Sequence, residues 1–175
     1  MKHLMFSVLL LALTGASSPV VAEPNVRLYG ALVAEPCVIP PGDDDIQVEF
    51  GSIVDKYLYQ NTRTPGQAFE VRLAECDLSL SNTVTVTFLG TESLALPGLL
   101  ALDGGSVADG VAIGLETQDA DPLPINQKSQ AYPLSAGGNV IALKAYVKGE
   151  PAALANRTIT LGEFNAISTF SLEYE

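Results

Sequence analysis

The residues that most constrain this chain are its last six. Phe170, Leu172 and Tyr174 alternate with Ser171, Glu173 and Glu175, and the sequence stops there. Period two places the aromatic and aliphatic side chains on one face of an extended strand and the polar ones on the other. The expectation is a strand that no later strand covers, beside an open apolar groove. Such an edge is an aggregation hazard that a stable fold has to manage. A matching feature stands near the start. Val26, Leu28, Leu32 and Ala34 share one parity with Gly30 at their centre, while Arg27 and Tyr29 take the other. Alone, this stretch reads as the first strand of a sandwich. Beside a missing strand, it reads as one held for another molecule.

The chain between these ends is a series of short extended segments. Residues 46–50 alternate Ile46, Val48 and Phe50 with Gln47 and Glu49, a half-buried strand ending at Gly51. Residues 68–76 put Phe69, Val71 and Leu73 on one side. Residues 83–88 are β-branched almost throughout, and 110–115 alternate large with small. Residues 140–147 are aliphatic on both parities, which predicts a central strand. Residues 158–161 and 164–174 close the series. Residues 57–66 read as a polar turn, 94–102 as a loop or edge strand broken by Pro97-Gly98, 119–128 as a turn, and 152–155 as a short helical turn. No segment of useful length has helical period. Seven or so short strands between turn signals indicate an all-β, immunoglobulin-like sandwich of one domain.

Composition removes several functions. Residues 1–22 read as a secretory signal: Lys2, an apolar run over 4–13, and the small-residue site Val20-Val21-Ala22. That run is too short to span a bilayer, so no membrane insertion is expected. Without the leader, eight basic side chains face 20 acidic ones, a net charge of −12, which argues against nucleic acid. His3 is the sole histidine and leaves with the leader. That excludes Ser-His-Asp and Cys-His catalysis and histidine-ligated metals. A carboxylate hydrolase would need a placed acid pair, and none is evident. Asp43, Asp44 and Asp45 lack the ligand spacing of a helix-loop-helix calcium site. No enzyme activity, metal or cofactor is therefore expected. Asn156-Arg157-Thr158 is a formal glycosylation sequon. Cys37 and Cys76, in an exported chain, read as a disulfide, with a reactive thiol as the alternative.

The two ends resemble the pilin subunits of the bacterial chaperone–usher pathway. The family pattern has a glycine fourteen residues from the end and a penultimate aromatic in an alternating strand; Gly162 and Tyr174 occupy those places. The cysteine spacing also matches. Within the family the chain looks most like the minor tip subunits of P-type pili, the adaptor type above all, on Ala95-Leu96-Pro97-Gly98 and the 169–174 ending.

The resemblance implies a signal peptide at 1–22, a donor-strand extension at 23–36 and a pilin domain at 37–175. That domain would be a sandwich lacking its last strand. A periplasmic chaperone would lend the missing strand, and at the outer-membrane usher the extension of the next subunit would replace it. By position, the donor residues are Val26, Leu28, Gly30, Leu32 and Ala34. The acceptor and chaperone edge is Gly162, Phe164, Phe170, Leu172 and Tyr174, with the Glu175 carboxylate meeting basic chaperone residues. Neighbouring pilin subunits are the further partners, and the location is a fimbrium on the bacterial surface, supporting adhesion. The competing expectation is a free-standing exported β-sandwich that binds carbohydrate or protein.

Overall fold

The computed structural model describes residues 28–175. Contacts divide the chain into two units, 1–33 and 34–175. Within the first, residues 28–33 have no regular secondary structure and lie exposed. Val26 lies outside the described residues.

The second unit is a two-layer β-sandwich. One layer has strand order β1-β5-β3, from β1 (Gln67–Cys76), β5 (Gly137–Gly149) and β3 (Val111–Thr117). The other has order β4-β2-β6, from β4 (Tyr132–Pro133), β2 (Thr83–Leu89) and β6 (Thr169–Tyr174). Each pairing is antiparallel. As its aliphatic content predicts, β5 is central in its layer. Val71, Leu73, Ile113, Leu143 and Val147 from one layer meet Val84, Val86 and Phe88 from the other in one core.

Alternation sorts each strand's faces. In β3, Val111, Ile113 and Leu115 belong to the core, while Ala112, Gly114 and Glu116 take the other parity and are buried as well. A covering strap explains that second buried face. The Arg63 guanidinium lies 3.7 Å from the centre of the Tyr146 ring and donates twice to Glu116, at 2.8 Å each. Gly114 stands under Tyr146, where a Cβ would overlap the ring. The small residues of this strand are therefore set by the aromatic above them.

Several segments differ from expectation. Residues 57–66 do not form only a turn: α1 (Asp55–Asn61) is a helix that buries Leu58 and ends at Thr62 in the left-handed region. Seven residues are under two helical turns, too few for a period to show. The other short helix, α2 (Pro151–Asn156), has Pro151 in its first turn, where a missing N–H costs nothing. Residues 158–161 form no strand, only a bridge between Thr160 and Asp109. Residues 94–102 form a loop that buries Leu96 and Leu100, and Leu100 bridges Ile113 to cover the free edge of β3. Residues 46–50 keep alternating burial but pair with nothing, and only 169–174 of the closing stretch forms a ladder.

Cys37 and Cys76 are joined by a disulfide, 39 residues apart. It ties the start of the second unit to the end of β1, where Val38 also bridges Ala74.

Candidate interaction groove

The unpaired segments face one another. Residues 44–53 form one rim of a groove of about 1070 Å³, and residues 162–168 with Phe170 form the other. Its floor is apolar: Phe69, Phe88, Leu100, Ile113, Leu115 and Ala145. Floor aromatics interlock, with Phe69 edge-on to Phe88 at 6.0 Å and Phe88 at 6.5 Å from Phe170. The rims meet where Phe50 and Phe164 lie 6.1 Å apart.

Backbone accounting shows which way the rims point. Among the described residues, 44–53 make no backbone–backbone hydrogen bond. On the other rim, the Glu163 carbonyl accepts from Val107 N–H at 2.8 Å and the Asn165 carbonyl from Asp103 N–H at 2.8 Å. Asn165 N–H donates to Ser106 Oγ at 3.0 Å. The backbone polar groups of these two odd-numbered residues are thus taken up on the side away from the groove. Phe164 and Ala166 stand between and beyond them and make no backbone bond among the described residues. In extended chain, alternate residues direct their polar groups to opposite sides, so those of Phe164 and Ala166 turn toward the groove. Unsatisfied backbone groups flanking apolar ground are an open demand for a partner strand.

The same bonds define two ends. At the helix end, Tyr59 Oη accepts from Ile159 N–H at 3.3 Å and Glu150 N–H donates to the Gly110 carbonyl at 2.9 Å. At the disulfide end, Asp77 N–H donates to the Pro36 carbonyl at 2.8 Å and Glu175 N–H to the Thr83 carbonyl at 3.2 Å. Strand β6 runs from the first end to the second.

Of the residues expected to form an acceptor edge, Gly162, Phe164 and Phe170 line the groove. Gly162 fits there because a Cβ would strike Val107 and approach Ala108 N. Leu172 and Tyr174 lie farther along β6, half-buried against the core. Burial, with the Glu35 carboxylate nearby, pushes the Tyr174 phenol up. The Glu175 main-chain oxygen accepts from the hydroxyls of Ser81 and of Thr83, the latter at 2.9 Å. The side chain of Lys128 pairs with Glu173 at 2.6 Å, an exposed contact of little net worth. Leu28, Gly30, Leu32 and Ala34 are exposed and carry no ladder.

Sequence reasoning missed the opposite rim. Ile46, Val48, Phe50 and Ile53 line the groove as fully as Phe164 does. Their alternation was visible, but nothing local distinguishes a paired strand from an unpaired rim.

Comparison with known proteins agrees with this architecture. A family model described as Fimbrial protein matches residues 26–175. The chain is 31% identical over 151 residues to Fimbria A protein of Serratia marcescens, covering 86% of this chain and 84% of that one. It is 29% identical to the fimbrial adapter PapK of Escherichia coli, over 96% of each chain. The crystal structure of the P pilus rod subunit PapA matches with a TM-score of 0.69 at 24% identity, over 81% of this chain and 100% of that one, a likeness of fold. With sandwich, groove and end-to-end sequence likeness in agreement, this chain belongs to the fimbrial protein family.

Proposed function

We propose that this fimbrial subunit is a non-enzymatic building block that polymerises by strand exchange. The groove of one subunit takes the N-terminal extension, residues 23–36, of the next. The donor side chains are Val26, Leu28, Gly30, Leu32 and Ala34. The receiving edge is Gly162, Phe164, Phe170, Leu172 and Tyr174, opposite the rim at 44–53.

One observation carries this reading: two facing rims, 44–53 and the alternate residues Phe164 and Ala166, present unpartnered backbone groups beside an apolar floor. A single inserted strand satisfies both rims and covers the floor together. The extension suits the task. Leu28 and Leu32 are 93% and 103% exposed, and a Cβ at Gly30 would meet nothing within 4 Å. Nothing described in its own chain therefore demands glycine at 30; a crowded groove floor in a neighbour would. Burying Val26, Leu28 and Leu32 is worth roughly 1.5–3 kcal/mol each. Ladder bonds add about 0.5–1.5 kcal/mol apiece. The sum rivals the whole stability of a small domain, on the order of 5–15 kcal/mol.

Before assembly, a periplasmic chaperone holds the groove and an outer-membrane usher performs the exchange. A basic chaperone group would share the Glu175 end with the Ser81 and Thr83 hydroxyls. Export through the periplasm follows from the leader at 1–22, and the destination is a fimbrium on the cell surface. Likeness to a fimbrial adapter across nearly the full length of both chains favours a minor, adaptor position.

Adding a synthetic peptide of residues 23–36 to the purified pilin domain (37–175) tests the reading. Slower unfolding with this peptide, and no effect from its Gly30→Leu version, is the expected result. Equal behaviour with both peptides, or with neither, would remove the assigned donor register.

A further inference from the structure

We infer that residues 44–50 are a flap that closes onto the free edge of β1 as the groove fills, so that insertion of a strand on one side of the flap is coupled to a second pairing on the other. This rests on the strand-exchange reading above. The argument begins at β1, an outer strand of its layer, which has β5 on one side only. Near its end Ala74 exchanges both backbone bonds with Val38 across the other edge, at 2.8 and 2.9 Å. Alternate residues of a strand direct their backbone groups to the same side, so those of Ala68, Glu70 and Arg72 turn toward that edge as well. Among the described residues, none of the three has a backbone partner there.

The pairing begun at Val38 stops for a local reason. In that register residue 40 would oppose Arg72, but Pro40 and Pro41 have no N–H to give. The Asp43 N–H folds back onto the Pro40 carbonyl at 3.0 Å, and the chain leaves β1 at this turn. Beyond it, a cavity of about 400 Å³ separates Asp45, Ile46 and Gln47 from Phe69, Glu70 and Arg72. Asp45, Ile46 and Gln47 also wall the groove. This stretch is thus a partition with open space on both sides and no backbone bond of its own. Gly42 and Gly51 flank it in the left-handed region, at φ of +91° and +60°, and a Cβ at either would meet nothing within 4 Å. Backbone freedom, not packing, calls for glycine at these two joints.

Parity makes the two pairings compatible. Ile46, Val48 and Phe50 pack toward the core. Asp45, Gln47 and Glu49 take the opposite parity and are exposed, as are Ala68, Glu70 and Arg72 on β1. Directly opposed residues share a face, so closure sets one exposed trio against the other. Charge selects the antiparallel register: Asp45 against Arg72, Gln47 against Glu70, Glu49 against Ala68. A slip of two residues either way would set Asp45 or Glu49 against Glu70. In the favoured register the odd-numbered residues bond β1, and the backbone groups of Ile46, Val48 and Phe50 are left for the inserted strand. Ordering the flap costs conformational freedom once. A donor that fixes it therefore favours closure on β1, and closure in turn tightens the hold on the donor.

The test follows backbone amide exchange in the mature chain, residues 23–175, before and after addition of the 23–36 peptide. The peptide is expected to slow the amides of Ile46, Val48 and Phe50, and with them those of Ala68, Glu70 and Arg72, by at least about tenfold. Gln47→Pro removes an N–H from the β1 side of the flap and none from the groove side, and should release the peptide about tenfold faster. Gln47→Ala, which keeps that N–H, should release it at the wild-type rate. Slowing at Ile46, Val48 and Phe50 without slowing at Ala68, Glu70 and Arg72 would overturn the closure and leave strand exchange standing. Wild-type release from the Gln47→Pro variant would do the same. No slowing at any of the six would remove strand exchange and the flap with it.

Discussion

Phe50 and Phe164 approach to 6.1 Å across the groove, one from each rim. Neither residue is in a hydrogen-bonded strand, so this aromatic contact links two segments that no ladder joins. In the donor-complemented domain, Phe164→Ala should cost about 1–3 kcal/mol, below the range for a fully buried Phe because both rings are half-exposed. A double-mutant cycle with Phe50→Ala should give a coupling of roughly 0.5–1.5 kcal/mol by denaturant unfolding. Strict additivity would show that the rims do not support each other.

The ion pair on the outer face of β3 makes a sharper prediction. The Glu116 side chain is 4% exposed and that of Arg63 35%. Hydrogen bonding to Glu116, against the opposing cost of burial, pushes the Arg63 guanidinium up. Arg63→Ala leaves a buried carboxylate uncompensated and should destabilise by about 3–5 kcal/mol. Arg63→Lys should recover little, since it lacks the planar fork that bonds both oxygens and lies over Tyr146. Unfolding curves of the two variants check this.

Glu150 carries a pH signature. Burial, with the Asp109 charge secondary, pushes its carboxyl up. A raised folded-state value means that the folded protein holds this proton to higher pH than the unfolded chain does. Stability from this group is therefore present below the ordinary carboxylate range and is lost as pH rises through the raised value. Glu150→Gln should raise the denaturation midpoint at pH 7, and the gain should vanish in acid. A gain of equal size at both pH values would contradict the assignment.

The disulfide spans 39 residues of sequence. In the chain-entropy view its loss costs about 4 kcal/mol. Paired Cys37→Ser and Cys76→Ser should lower the denaturation midpoint accordingly. They should also loosen the anchor that fixes the extension to its domain, read as faster exchange of the Val38 and Ala74 amides.

Much of this architecture is legible in the sequence, for identifiable reasons. Residues 83–88 and 140–147 are long, strongly patterned and paired on both sides, so local pattern and tertiary structure agree. Period two also exposes the half-buried faces of Ile46-Val48-Phe50 and Phe170-Leu172-Tyr174. Pattern reports which side chains face the core; it does not report whether a backbone has a partner. That is why 46–50 and 164–168 read as strands, whereas neither joins a strand ladder. Helix α1 escapes notice because its burial rests on Leu58 alone. The strap of Arg63 joins it to Glu116, 53 positions away, and to Tyr146, farther still, distances at which sequence carries no local signal.

The most direct measurement compares residues 23–175 alone with the same chain carrying residues 23–36 fused after Glu175 through a short flexible linker, both followed by thermal and denaturant unfolding. A supplied strand should convert a weakly stable or non-cooperative domain into one with a single cooperative transition, with a midpoint higher by at least about 10 °C. If the unfused chain is already a stable, cooperatively folding monomer and the fusion changes nothing, the groove is not waiting for a strand.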